Sequence, residues 1–241
     1  MITKEVVKEL NTTEKKKAPL FITDWLNELE EKRSKEFFQR TGLEYQTMIS
    51  QIIEAADLTI GAEILELEAG SGAIARHLVN YVGTEGKIIG VDSTAELVER
   101  ARLDAQSAKV STRIEWRIAP FNHLPFDDQR FDLVTCGLAF NQLDATDFFR
   151  ETYRVLKEGG ELLVAAELAP QSGLSDFVLK ARQSYYRYIK RNEQEAKAHF
   201  YTSHELTEML RATGFRQIII RGLKSKTGIA ARSFSIVKAV K

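Results

Sequence analysis

Short apolar segments alternate with helical patterns through the centre of this chain, and this alternation restricts its possible folds more than any other feature. The predicted strands span residues 63–67, 87–92, 114–119, 131–137 and 161–167, and the predicted helices between them span 73–81, 95–108 and 146–156. Strands that alternate with helices are typical of a parallel sheet with helices on both faces and right-handed crossovers. The sequence therefore predicts a doubly wound α/β fold.

The N-terminal region precedes the first predicted strand and has a different character. Residues 1–19 are polar and contain three consecutive lysines, so a flexible arm is predicted there. Residues 20–57 show helical periodicity, with a distinct helix predicted at 44–56. Residues 20–241 are predicted to form a single domain, because this length is within the range that one hydrophobic core can support.

The C-terminal region completes the predicted sheet. The strand at 161–167 is expected to start after a turn at Gly159-Gly160. A later helix is predicted to have Ser203 as its N-cap and Gly214 as its stop signal. Two closing strands are predicted at 217–221 and 233–240.

Composition argues against several classes of partner. The chain has 34 basic and 34 acidic residues, and proteins that grip a nucleic-acid backbone usually carry a basic excess. No apolar run approaches the roughly 18 residues that would span a bilayer. The one cysteine, Cys136, lies in an apolar run, so we expect it to be a buried small side chain and the protein to be cytoplasmic. The sequence does not indicate an oligomeric state.

A glycine-containing turn follows the first predicted strand. Gly70 and Gly72 would let the backbone turn sharply and approach a ligand closely, and the N-terminus of the next helix would point at the same place. By itself this pattern is equally compatible with a simple tight turn.

An acidic residue at the end of the second predicted strand strengthens the case for a ligand. Asp92 lies 20 residues after Gly72, at the spacing where a carboxylate accepts hydrogen bonds from ribose hydroxyls. The alternative is an exposed acid that caps the next helix. At this point a nicotinamide oxidoreductase and a nucleoside-binding transferase both remain possible.

Five segments in order decide between these classes: ILELEAGSG, VDSTAELVERA, HLPFDDQRFDLVTC, FFRETYRVLKEGGELLVAAEL and SHELTEMLRATGF. From about Tyr45 to Val240 the chain resembles the class I methyltransferases that depend on S-adenosylmethionine (SAM), in particular those that act on small molecules. The resemblance implies a Rossmann-like sheet of seven strands that is mostly parallel and ends in an antiparallel hairpin. It also implies SAM as the cofactor, a small-molecule substrate and a lid insertion at about 170–202.

The resemblance also implies positions for the cofactor-binding residues. Glu66 would lie near the amino end of SAM, Gly70 and Gly72 under its methionine and ribose parts, and Asp92 with Ser93 at the ribose hydroxyls. Ala119, Pro120 and Phe121 would lie near adenine. Gly137 and Leu138 would border the sulfonium.

Two residues depart from the family pattern. Glu68 replaces the first glycine of the turn, and a charge there about 4 Å from the cofactor carboxylate would cost roughly 4 kcal/mol unless a base such as Arg76 or Arg117 neutralises it. Pro120 replaces a residue that is often acidic, and Asn122 could take over its contact with adenine. These departures motivate an alternative function, a methyltransferase-fold binding or regulatory protein that transfers no methyl group.

The sequence predicts neither a catalytic residue nor a metal site. Methyl transfer depends mainly on placement, so a catalytic side chain need not be visible in the sequence. His199 and His204 are five residues apart and have no cysteine partner, which does not fit a metal site. A nicotinamide oxidoreductase is disfavoured because Arg76 and His77 stand where a third glycine would be needed.

Aromatic residues near the expected lid bear on the substrate. They are Tyr185, Tyr186, Tyr188, Phe200 and Tyr201. They could cover a pocket for an apolar or aromatic small molecule, although packing between helices would produce the same pattern. The function predicted from the sequence is therefore SAM-dependent methylation of such a molecule.

Overall fold

The computed structural model describes residues 31, 34–35, 37–39, 42–169, 198–223 and 233–241. The predicted arm at 1–19, most of the predicted helical region at 20–41 and the predicted lid up to residue 197 lie outside the described residues.

The described residues form one mixed sheet with helices on both faces. Its strands are β1 Glu63–Leu67, β2 Lys87–Asp92, β3 Ile114–Ile118, β4 Phe131–Cys136, β5 Leu156–Leu168, β6 Arg216–Gly222 and β7 Ser233–Val240. The helices are α1 Tyr45–Ala55, α2 Ala73–Leu78, α3 Ala95–Ser107, α4 Ala145–Val155 and α5 Ser203–Thr213, with a 3₁₀ turn at Phe140–Gln142. The strand order is β3-β2-β1-β4-β5-β7-β6.

Strand directions confirm the predicted fold class. Strands β1 to β5 pair in parallel, whereas β7 runs antiparallel to both β5 and β6. The chain moves outward from β1 to β3 and then returns to β4 on the other side of β1. In open α/β sheets, ligands bind in the crevice that this reversal leaves at the carboxyl ends of the strands. The fold therefore places the ends of β1, β2 and β4 around one crevice.

The core lies on both faces of the sheet because successive residues of a strand point to opposite sides. Ile64 of β1 packs with the residues under α1, α2 and α3. Leu65, its neighbour, packs with the residues under α4 and α5. Both side chains are fully buried, so β1 is the central strand of two hydrophobic layers.

Trp116 of β3 packs against two glycines. A Cβ atom at either Gly72 or Gly90 would overlap the six-membered ring of Trp116. The indole is almost fully buried in the layer under α1 and α2. Glycine is required at these two positions for core packing, so Gly72 has a structural role that sequence analysis did not identify.

Two predicted boundaries were wrong. Strand β5 begins at Leu156 rather than after the Gly159-Gly160 pair, because a bulge between β4 and β5 absorbs the glycines. Gly159 has φ 77°, and its N–H donates to the carbonyl of Lys241 at 3.2 Å, which keeps this stretch paired. The N-cap of α5 is Thr202 rather than Ser203, since Thr202 and Glu205 form a capping box. Gly214 ends the helix as predicted, with φ 114°.

The other boundaries agree closely with the structure. The helices from α1 to α4 and the remaining strands begin and end within three residues of their predicted positions. None of the helices in the described ranges is both long and apolar enough to cross a lipid bilayer.

The Trp116 contact yields a prediction about stability. Gly90→Ala should lower the free energy of unfolding by about 1–3 kcal/mol, because an added methyl group must displace a buried ring. Gly222→Ala is the matched control, since a Cβ there meets no heavy atom within 4 Å. Urea unfolding followed by circular dichroism measures both variants. Equal stability of the two would show that the sheet absorbs the methyl group without cost.

Candidate active site

Asp92 at the end of β2 joins the two turns that border the crevice. Its Oδ2 accepts a hydrogen bond from the N–H of Gly70 at 2.9 Å, and its Oδ1 accepts one from the N–H of Thr94 at 2.8 Å. The side chain is only 3% exposed. A carboxylate has about four acceptor positions, so two remain for a ligand. Asp92 thus fixes the glycine turn and retains the capacity to accept hydroxyl groups.

Glu66 lies on β1, two residues before Glu68, and its carboxyl group is turned towards α2. Its Oε2 accepts from the N–H of Ala75 at 2.8 Å in the first turn of that helix. Burial raises the pKa of Glu66 to about 8, the charge of Asp92 adds to this, and the Ala75 N–H and Arg76 oppose it. The side chain is therefore a structural partner of the helix, and its predicted contact with the cofactor amino group stays a prediction.

Glu68 has a backbone conformation that suits glycine. Its φ is 49°, in the left-handed region that non-glycine residues seldom adopt. The partly buried side chain hydrogen-bonds to that of Ser93, the residue that follows Asp92. Burial, together with the charge of Asp92, raises the pKa of Glu68 to about 7, while the Ser93 contact lowers it.

The two bases that sequence analysis considered for Glu68 have other partners. Arg76 donates to the carbonyl of Ser71 and lies 3.6 Å from Asp104, and Arg117 bonds to Glu115 at 2.5 Å. The acid at position 68 is therefore stabilised by a hydroxyl group and by partial protonation instead of by an ion pair.

The glycines of the turn differ in what surrounds them. Gly70 has φ 58°, and a Cβ there would meet no described heavy atom within 4 Å. At Gly72, the N-cap of α2, an added Cβ atom would instead overlap the ring of Trp116. Open space at Gly70, next to a carboxylate with free acceptor positions, fits the ribose and the adjoining chain of a nucleoside cofactor such as SAM.

The residues predicted to contact adenine follow β3, next to β2. Ala119 is buried, and its N–H donates to the carbonyl of Asp92 at 3.2 Å. Pro120 and Asn122 are exposed, and Phe121 is half-buried. The structure therefore brings the start of this segment to the crevice.

The residues predicted to border the sulfonium follow β4. Gly137 is buried, and a Cβ atom added to it would lie 3.3 Å from the Cδ1 of Ile74. Leu138 is half-buried. Cys136, the last residue of β4, directly precedes them and is fully buried as predicted. Burial holds the pKa of its thiol well above the ordinary value, and the nearby charge of Glu68 adds to this. Such a thiol is a poor nucleophile.

Asn141 joins segments that are distant in sequence, a role that sequence analysis missed. Its Nδ2 donates to the carbonyls of Glu167 at 2.9 Å and His199 at 2.7 Å, and its Oδ1 accepts from the N–H of Glu167 at 2.8 Å. A partner 58 residues away leaves no local pattern in the sequence, so this role could not be recognised there.

Two further polar atoms were not identified from the sequence. Among the described residues, the Nε1 of Trp116 and the Oγ1 of Thr135 are buried and have no hydrogen-bond partner. Thr135 pairs with Glu66 across β1 and β4. In the part of the chain that the structure describes, no group of three or more His, Cys, Asp or Glu residues is arranged to hold a metal ion.

The raised pKa of Glu66 predicts how stability depends on pH. Between about pH 4.5 and 8 the folded chain keeps a proton on Glu66 that the unfolded chain has released, so stability must fall as pH rises through this window. Glu66→Gln retains an acceptor for Ala75 and should remove on the order of 1–4 kcal/mol of this fall. Urea unfolding at several pH values measures it. Parallel pH profiles for wild type and variant would contradict the assignment.

Comparison with known proteins finds similarity to methyltransferases. Residues 64–160 match the model of a methyltransferase domain. The demethylmenaquinone methyltransferase of Lactiplantibacillus plantarum is 29% identical over 205 residues, which cover 78% of this chain and 84% of that protein. The 2-phytyl-1,4-naphtoquinone methyltransferase of a Nostoc species is 37% identical over 105 residues, which cover 43% of this chain and 46% of that protein.

A solved structure agrees with these matches at the level of the fold. The SAM-dependent methyltransferase from Aquifex aeolicus aligns with a TM-score of 0.57 and 18% identity, over 79% of this chain and 87% of that one. These comparisons give no support to a non-catalytic binding protein. Residues 64–160 match a methyltransferase domain, and the strand order and the glycine turn agree with the class I SAM-dependent methyltransferases, which this chain resembles.

Proposed function

We propose that this methyltransferase acts on a reduced quinone, a hydroquinone that carries an apolar chain. The observation that carries the proposal is the extent of the match to the demethylmenaquinone enzyme, which covers 84% of that protein and so reaches beyond the segments that bind the cofactor. The match to a naphthoquinone methyltransferase supports the same substrate class.

Aromatic side chains near the end of β5 suit an apolar acceptor. Phe37 packs edge-to-face on Phe234 with ring centroids 5.4 Å apart and on Tyr45 at 6.2 Å. Phe234 pairs with Glu167 at the carboxyl end of β5. Phe37 and Phe234 are buried and Tyr45 is half-buried, so the layer under α1 is aromatic beneath the edge where the acceptor is proposed to enter.

The proposed cofactor contacts follow from the described geometry. Asp92 would accept from the ribose hydroxyls, and Gly70 would leave room for the chain that joins ribose to methionine. The other proposed contacts are those inferred from the family resemblance, namely Glu66, Glu68, Gly72, Ser93, Ala119, Pro120, Phe121, Asn122, Gly137 and Leu138.

The chemistry restricts the oxidation state of the acceptor. When bound, SAM supplies an electrophilic methyl group on its sulfonium. The acceptor atom must then be nucleophilic, and a ring carbon of a hydroquinone is electron-rich whereas that of a quinone is not. The chain contributes mainly placement and exclusion of water, because orientation alone can supply much of the rate. The ring carbon that gains the methyl group loses its hydrogen as a proton, which passes to a base or to water, and the electrons of the broken C–S bond stay on S-adenosylhomocysteine. We assign no side chain as that base.

We also propose a cytoplasmic location. The chain has a single cysteine, and it is buried, which suits a reducing compartment but does not depend on one. A nucleic-acid partner is not expected from the neutral net charge.

The role of Asp92 can be tested by binding. Asp92→Asn should weaken SAM and S-adenosylhomocysteine binding about 10- to 100-fold, because the amide replaces one acceptor oxygen with a donor. Asp128→Asn is the matched control, since Asp128 is exposed and bonds to Arg154. Isothermal titration measures affinity, and a thermal melt checks that the variant folds. Unchanged affinity would remove Asp92 from the ribose site.

The substrate class can be tested by turnover. The purified protein should methylate a prenylated 1,4-naphthohydroquinone in the presence of SAM and dithionite, with mass spectrometry detecting the methylated ring. The same compound kept oxidised should give no product. A protein that binds SAM but methylates neither form would contradict the proposed acceptor.

A further inference from the structure

Three carboxyl groups meet at the ends of β1 and β2, and their partners differ. Glu66 accepts from the first turn of α2, and Asp92 accepts from two backbone N–H groups. Glu68 interacts instead with the side chain of Ser93. Of the three, Glu68 is also the most exposed. Its carboxyl group is therefore the most accessible of the three to a ligand in the crevice.

The position of Glu68 follows from the chain. It comes directly after Leu67, the last residue of β1, and two residues before Gly70, whose N–H is bonded to Asp92. Ser93 comes directly after Asp92. The contact between Glu68 and Ser93 thus crosses from the end of β1 to the end of β2, beside the carboxylate proposed to hold the ribose.

The surroundings of Glu68 favour its neutral form. The titratable groups that interact with it from neighbouring strands are acidic, and they are Asp92 on β2 and the Cys136 thiol on β4. The nearest candidate bases, Arg76 on α2 and Arg117 on β3, are paired with Asp104 and Glu115. A ligand that covers Glu68 would remove water and make the charged form still less favourable.

We propose that Glu68 forms part of the nucleoside subsite as a protonated acid, so that binding of the cofactor product S-adenosylhomocysteine takes up a proton. The protonated carboxyl group donates to the ligand or to Asp92 while its other oxygen accepts from Ser93. This inference rests on the proposed ribose role of Asp92 and adds a second carboxyl group to that subsite. Glu68 is then a specificity-determining residue, because an acid at a position where the family has glycine adds a contact to the ligand.

Proton uptake has a measurable consequence. Burial and the charge of Asp92 already raise the pKa of free Glu68 to about 7. If binding raises this pKa further, affinity for S-adenosylhomocysteine must fall as pH rises through 7, by up to about tenfold between pH 6 and 8. In the Glu68→Gln variant residue 68 cannot titrate, so its contribution to this pH dependence of affinity should be absent.

The test is isothermal titration of the full chain with S-adenosylhomocysteine at pH 7 in two buffers that differ in ionisation enthalpy. The difference in binding enthalpy between the buffers gives the number of protons taken up. We expect net uptake for the wild type, and none for Glu68→Gln or for Glu68→Gly, a second variant that suits the left-handed backbone. Glu66→Gln is the matched control and should keep the uptake, because Glu66 is turned towards α2.

The outcomes separate this inference from the proposed function. Binding without proton uptake in the wild type would overturn the role of Glu68 and leave the cofactor site intact. Loss of uptake in Glu66→Gln but not in Glu68→Gln would overturn it as well, since the proton would then belong to Glu66. Failure of the folded wild type to bind S-adenosylhomocysteine at any pH would overturn the proposed function, and this inference with it.

Discussion

The carboxylate of Asp92 holds together the parts of the molecule that define the crevice. Its two oxygens fix the backbone of the glycine turn after β1 and of the turn before α3. Buried backbone N–H groups are expensive to leave unpaired, so both turns depend on this one side chain for their shape. The direction of α2, and with it the position of Glu66 and Ala75, follows from the shape of the first turn. The shape of the crevice therefore rests on the same two oxygens that we propose as acceptors for the ribose hydroxyls.

The charge arrangement of the crevice is unusual for a site that must hold an amino acid moiety. Sequence analysis treated Glu68 as a source of repulsion that a nearby arginine might remove. The structure resolves this differently, because Arg76 and Arg117 are occupied and Glu68 contacts Ser93. Burial and the charge of Asp92 raise the pKa of Glu68 to about 7, and partial protonation then reduces the negative charge near the turn. The departure from the family pattern is thus compatible with a working cofactor site.

Local patterns predicted most of the fold, and contacts between distant residues account for what they missed. The alternation of strands and helices located the parallel strands β1 to β5, because burial on both faces of a parallel sheet leaves continuous apolar runs. The start of β5 was missed because a glycine pair also signals a turn, and only its pairing with Lys241 shows that the strand continues. In the site, the spacing of Gly72 and Asp92 predicted that the glycine turn and Asp92 meet at neighbouring strand ends, where the N–H of Gly70 is bonded to Asp92. The packing of Trp116 on Gly72 and Gly90 was not predictable, since these residues share no periodic pattern.

The amide of Asn141 has a consequence for how such an enzyme can diversify. This one side chain after β4 bonds to Glu167 at the end of β5 and to His199 just before α5. These two residues flank the segment 170–197 in the sequence. Because these flanking residues are fastened to each other, the length and composition of the intervening segment can change through mutation while the sheet and its cofactor crevice keep their geometry. Variation in that segment of the gene therefore requires no compensating change in the residues at the carboxyl ends of the strands.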